Sequence, residues 1–126
     1  MSQPRTVVDD AYTAFGKGDV PTVLGLLADD VEWSVPDSVP HGRDARGPEQ
    51  VGEFFGGLAE LWSDFGIEID EIADAGDKVI SVGRAAGKLE GTPTGYGFVH
   101  VFTVDGGRIV RFDEYVAPPA GGFPAN

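Results

Sequence analysis

The chain contains no cysteine. Disulfides, thiol catalysis and cysteine-based zinc sites are therefore excluded. Basic residues are scarce: nine Lys and Arg stand against 21 Asp and Glu, for a formal net charge of −12. The nine are scattered, with no run and no interleaved aromatics. Nucleic-acid binding rests on neutralising phosphate, and anionic membranes recruit basic segments, so neither is an expected partner. No apolar run approaches the length of a membrane span. Met1 to Thr6 has no apolar signal core, so export is not expected and a cytoplasmic location is. The two histidines and the scattered acids show no metal-ligand spacing. Phosphate loops, dinucleotide fingerprints and nucleophile elbows are missing too, and neither a metal nor a cofactor is expected. Internal repeats are also missing.

What is there fits one folded domain. A chain of 126 residues supports one core but not two, and 41% hydrophobic residues predict a packed globule rather than disorder. The acidic pairs Asp9-Asp10, Asp29-Asp30 and Asp70-Glu71 read as solvated surface. Val7, Val8, Ala11, Tyr12, Ala14 and Phe15 lie at helical spacing and stop at Gly16-Lys17-Gly18. Asp19 is a good N-cap for a second helix with Pro21 in its first turn. Val31, Trp33 and Val35 alternate as a short strand, and a loop follows from Pro36 to Arg46. Gly47-Pro48 opens a third helix whose apolar stripe is Val51, Phe54, Phe55, Leu58, Leu61 and Trp62. After Ser63 the period changes to two, which predicts a strand around Phe65–Ile69 and three more over roughly 78–90, 96–104 and 108–117. Helices first and strands last predict an α+β domain over 1–117, with helices on one face of an antiparallel sheet. The Pro/Gly-rich tail, 118–126, is expected to fray.

Three ionisable residues interrupt apolar stripes of the last strands. Arg84 follows Ile80 and Val82, His100 sits between Phe98 and Phe102, and Glu114 sits between Phe112 and Val116. Strand residues two apart share a face, and a charge facing a core is costly unless it is paired or meets a ligand. A three-residue loop at Asp105–Gly107, ending on a left-handed glycine, pairs His100 with Phe112 and Phe98 with Glu114. A five-residue loop at 91–95 sets Ala86 opposite His100 and Arg84 opposite Phe102. Arg84, His100 and Glu114 then share one face, with His100 a diagonal neighbour of both others at about 7–8 Å at the backbone.

A carboxylate beside a histidine orients the ring and raises its basicity, and an arginine can steady an oxyanion. The trio could abstract a proton next to a carbonyl, or it could be a satisfied structural network. Trp33, Phe54, Phe98, Phe102 and Phe112 are candidate walls of a cavity, or ordinary core. His41, in the loop Asp37–Gly42, is either an exposed loop residue or the lining of a pocket mouth.

Four segments carry a family resemblance: Tyr12–Asp19, Leu27–Trp33, Gly42–Pro48 and His100–Tyr115. With the element order, they make the chain resemble the nuclear transport factor 2-like superfamily, in its SnoaL-like and ketosteroid isomerase-related branch, from about Thr6 to Val116. The resemblance implies a cone-shaped curved sheet wrapped by three N-terminal helices around a pocket. By activity it implies a range, because the superfamily holds isomerases, polyketide cyclases, epoxide hydrolases, dehydratases and non-catalytic members. His100 falls where ketosteroid isomerases carry a pocket acid. Trp33 falls near their catalytic base, and Ala11 rather than Tyr12 falls at their tyrosine, so ketosteroid isomerisation itself is not implied. Arg84 and Glu114 match two of three central residues of limonene epoxide hydrolase-like enzymes, and Ala86 stands at the third. The last-strand aspartate of many relatives is Ala117 here. The combined expectation is a homodimer that binds a small apolar carbonyl or polyketide-like compound, with cofactor-free acid–base chemistry at His100, Glu114 and Arg84. The alternative is a non-catalytic ligand-binding or dimerisation domain.

Overall fold

Turn chemistry fixes where each element begins and ends. The computed structural model describes residues 3–124. Helix α1, Gln3–Gly16, buries Val7, Val8, Ala11 and Ala14 and ends at the expected glycines. Asp19 caps α2, Val20–Gly25, by accepting the Thr22 backbone N–H at 3.2 Å. Helix α3, Gly47–Leu61, buries Val51, Phe54, Phe55 and Leu58. Trp62, expected in that helix, instead opens a strand, because the backbone turns extended at this residue.

The strands are β1 (Leu27–Val35), β2 (Arg43–Arg46), β3 (Trp62–Ala75), β4 (Lys78–Leu89), β5 (Thr92–Asp105) and β6 (Arg108–Ala117). They form one sheet in the order β2-β1-β6-β5-β4-β3. The β1–β6 pair is parallel and the other pairs are antiparallel, so the sheet is mixed. Strand β2 lies inside the stretch expected to be loop. It runs four residues along the edge of β1 and buries only Ala45, too short an alternation to read in advance.

Both final hairpins turn on two residues rather than three or five. Glu90 and Gly91 have φ of 48° and 87°, and Gly106 and Gly107 have 59° and 79°. Two positive φ values in succession make the mirror-image turn whose twist suits a hairpin. Strand β5 therefore starts at Thr92 and carries Pro93 inside it. Proline is tolerated there because β5 pairs with β6 only from Gly97 onward, which leaves one side of that stretch open.

The tail expected to fray makes two contacts over its described part, 118–124, and its last two residues lie outside the described residues. Gly122 N–H bonds Pro119 C=O at 2.8 Å, and the Phe123 ring packs edge-on against Tyr96 with centroids 5.5 Å apart. No helix among the described residues is long and apolar enough to cross a membrane.

Candidate active site

The β4–β5 turn decides the fate of Arg84. The expected register summed to an even offset; the observed one is odd, with Ser81 opposite His100 and Arg84 opposite Gly97. A slip of odd length sends every side chain to the other face. Val79, Ser81, Gly83 and Ala85 thus face inward, and Ile80, Val82 and Arg84 face outward. Arg84 does not join His100 and Glu114. Its guanidinium lies on the outer face, 2.8 Å from Glu68 and 2.9 Å from Asp70. There it holds the Asp70 carboxyl below the usual range by hydrogen bonding and charge. The two-residue match to epoxide hydrolase-like enzymes therefore does not come together in space.

The β5–β6 hairpin corrects the other register. A bulge at Val110 lets Thr103 pair with Arg111 while Val104 pairs with Ile109. The extra residue restores the parity that the shorter turn removes. His100 then stands directly opposite Glu114, not diagonal to it. Their side chains meet at 3.1 Å, from Nε2 to Oε2, both buried.

Helix α1 completes this group. The Tyr12 hydroxyl lies 2.7 Å from His100 Nδ1. An ionised Glu114 can only accept, so His100 Nε2–H donates to it, and Nδ1 accepts from the Tyr12 hydroxyl. Burial, reinforced by the Glu114 charge, pushes the Tyr12 phenol well above its ordinary range. The neighbouring Ser81 hydroxyl pulls the other way, but its geometry falls short of a hydrogen bond and Ser81 Oγ keeps no partner among the described residues. Tyr12 was legible only as a residue of the α1 apolar stripe. The resemblance that set Ala11 at the tyrosine position concealed it.

A second polar group faces the same cavity. The loop Pro36–Gly42 folds back on itself, Val39 N–H bonding Pro36 C=O at 3.2 Å and Gly42 N–H bonding Val39 C=O at 2.9 Å. A Cβ on Gly42 would lie 1.9 Å from Pro36 O, so only glycine closes this loop. The closure inserts His41, which is buried at 7% exposure and lines the cavity rather than standing exposed in the loop. Trp62 Nε1–H donates to His41 Nδ1 at 3.1 Å, and Tyr96 Oη lies 3.4 Å from His41 Nε2. Burial lowers the His41 pKa from its ordinary value, against a smaller upward pull from Glu114. Burial also drives the Tyr96 phenol far above its usual range, again with help from Glu114. Tyr96 continues the period-two series Tyr96, Phe98, His100, Phe102; it lay at the start of the expected 96–104 strand, where that alternation could have marked it as inward-facing.

Between the two groups lies a cavity of about 80 Å³, on a scale where one water takes roughly 10–15 Å³. Trp33, His41, Phe54, Phe102, Phe112, His100 and Glu114 all line it, joined by Tyr12 and Tyr96. Phe98 does not line it; its ring stacks on His100 at 3.9 Å and supports the imidazole from behind. Trp33 stacks on Phe112 at 4.1 Å, and its buried Nε1 has no partner among the described residues. Among the described residues no three His, Asp or Glu side chains gather where a metal ion could be held.

Residues 8–112 match the model of the SnoaL-like domain. The chain belongs to the SnoaL-like family. Its fold is that of a SnoaL-like cone, and solved structures agree. An NTF2-like protein of Burkholderia thailandensis is similar at 30% identity with a TM-score of 0.87, over 92% of this chain and 92% of that one. An LEH-like epoxide hydrolase of M. tuberculosis is similar at 21% identity and TM-score 0.75, over 90% of this chain and 82% of that one. A putative polyketide cyclase of Sinorhizobium meliloti is similar at 19% identity and TM-score 0.74, over 87% and 94%. No curated protein matches the chain.

Proposed function

We propose that this SnoaL-like protein binds a small apolar carbonyl or polyketide-like compound in its internal cavity and moves a proton on it without a cofactor. The observation that carries the reading is the chain Tyr12–His100–Glu114, three hydrogen-bonded ionisable side chains in an otherwise apolar hollow. Convergent polar groups on an apolar wall are how small-molecule sites orient a ligand. Removing a buried charged partner costs several kcal/mol, whereas an apolar replacement of the whole set is often neutral. Function therefore explains the trio better than stability does.

The roles follow from the hydrogen-bond directions. Tyr12 stays a phenol at neutral pH, so it does not act as a phenolate base. It relays: its oxygen takes a proton from carbon or oxygen of the ligand as its own proton passes to His100 Nδ1. Glu114 then stabilises the imidazolium through Nε2–H. Arg84, outside the cavity, has no part in this.

One feature favours binding without turnover. Tyr12 occupies the free nitrogen of His100, so the imidazole offers no bare acceptor to a ligand.

The homodimer and the cytoplasmic location belong to the same proposal. The outer sheet face carries exposed Val82 and Tyr115 beside half-buried Val99 and Val101, a patch suited to a second copy. Acetophenone, an apolar aryl ketone, tests the cavity. Proton NMR should show Overhauser contacts from its ring to Tyr12, Trp33 and Phe54. Contacts confined to the outer face would overturn the assignment of the site.

A further inference from the structure

Trp62, His41 and Tyr96 form a line of one-way hydrogen bonds. The indole N–H can only donate, and its partner at 3.1 Å is His41 Nδ1. That nitrogen must therefore be bare. A neutral imidazole with a bare Nδ1 carries its proton on Nε2. The nearest partner of Nε2 is Tyr96 Oη, 3.4 Å away, which must accept. A hydroxyl has one proton, and it cannot also point back along the bond it accepts. Tyr96 lines the cavity, so its O–H is left free to turn there.

We infer that Trp62 and His41 are positioning residues that turn Tyr96 into a fixed hydrogen-bond donor for a carbonyl or similar acceptor oxygen on the bound ligand. The inference rests on the proposed binding of an apolar carbonyl and adds its polarity. In the other group, Tyr12 spends its proton on His100 and presents an oxygen lone pair. The cavity thus offers an acceptor at the Tyr12 end and a donor at the Tyr96 end. The ligand is oriented with its acceptor oxygen toward Tyr96 and its transferable proton toward Tyr12. Burial keeps both the Tyr96 phenol protonated and the His41 ring neutral, so the line should hold across the physiological range.

Two measurements test this. The first needs no ligand: ¹⁵N NMR of the histidine rings in the native protein at pH 7. His41 should be the neutral tautomer protonated at Nε2; a proton on Nδ1 would overturn the inference. The second uses acetophenone labelled with ¹³C at its carbonyl. Its bound carbonyl stretch should lie at lower frequency than in hexane. Tyr96→Phe should return the band toward the hexane value and weaken binding by about three- to tenfold, the worth of one neutral hydrogen bond. Trp62→Phe should shift the band the same way although Tyr96 remains, because His41 is then free to turn its acceptor toward Tyr96. A merely structural Trp62 would leave the band in place, and that result overturns the positioning role. A bound ketone with an unshifted band in the native protein overturns this inference alone. Failure of acetophenone to bind at all overturns the underlying carbonyl reading as well.

Discussion

His41 shows how one side chain carries both fold and chemistry. It is placed by a glycine that no other residue could replace without a clash, and it is held neutral by burial. Its folded-state pKa lies below the ordinary value of 6.5, so the unfolded chain binds the proton more readily. Stability tied to His41 is therefore present above about pH 6.5 and falls as pH drops below it toward the lowered folded value. Thermal melts between pH 7 and pH 5 should show native protein losing stability relative to a His41→Gln variant. Parallel pH profiles would mean that His41 titrates alike in both states. In the sequence, His41 stood in a Pro/Asp/Gly-rich stretch and could be read as a pocket lining or as surface. Nothing at period two or 3.6 marks a loop residue as buried, because burial there comes from a backbone fold-back and not from an alternating face. His100 and Glu114 were legible because a strand's alternation points them inward whatever their exact partners.

At the scale of elements, strand identities were readable and registers were not. The apolar alternations located β4, β5 and β6 to within a few residues. Register depends on turn length and bulges, and Glu90 at positive φ announces nothing in the sequence. One misjudged turn moved Arg84 from the cavity to the solvent face, since parity is all or none. In the other hairpin two errors cancelled: a shorter turn and an unforeseen bulge left Phe112 and Glu114 facing in. The bulge absorbs Val110 as the extra residue, so that Phe112 and Glu114 still face in. Deleting Val110 should therefore remove the bulge and keep the register, because Ile109 still meets Val104 and Arg111 still meets Thr103. The expected outcome is a cooperative thermal transition by circular dichroism and a retained His100–Glu114 contact. Loss of the transition would show that the bulge itself, and not the parity it preserves, holds the hairpin together.

For the whole molecule, a curved mixed sheet with helices against its inner face leaves a hollow that side chains line but do not fill. Its outer face carries an apolar patch flanked by ion pairs such as Arg84 with Glu68 and Asp70 and Arg111 with Asp113. Sedimentation at increasing concentration should show a dimer, and Val82→Glu should shift it to monomer without loss of fold. A monomer at every concentration would remove that surface from the account. The central claim is that the cavity moves a proton next to a carbonyl through Tyr12, His100 and Glu114. The most direct measurement is the exchange of the acetophenone methyl protons for deuterium in D₂O, followed by NMR with and without protein. The native protein and an Arg84→Met variant should accelerate exchange alike. His100→Ala and Tyr12→Phe should each lose about 10²-fold or more of that acceleration, the usual share of a positioned acid–base group, while still binding the ketone. No acceleration by the native protein, or acceleration that survives His100→Ala, would contradict it.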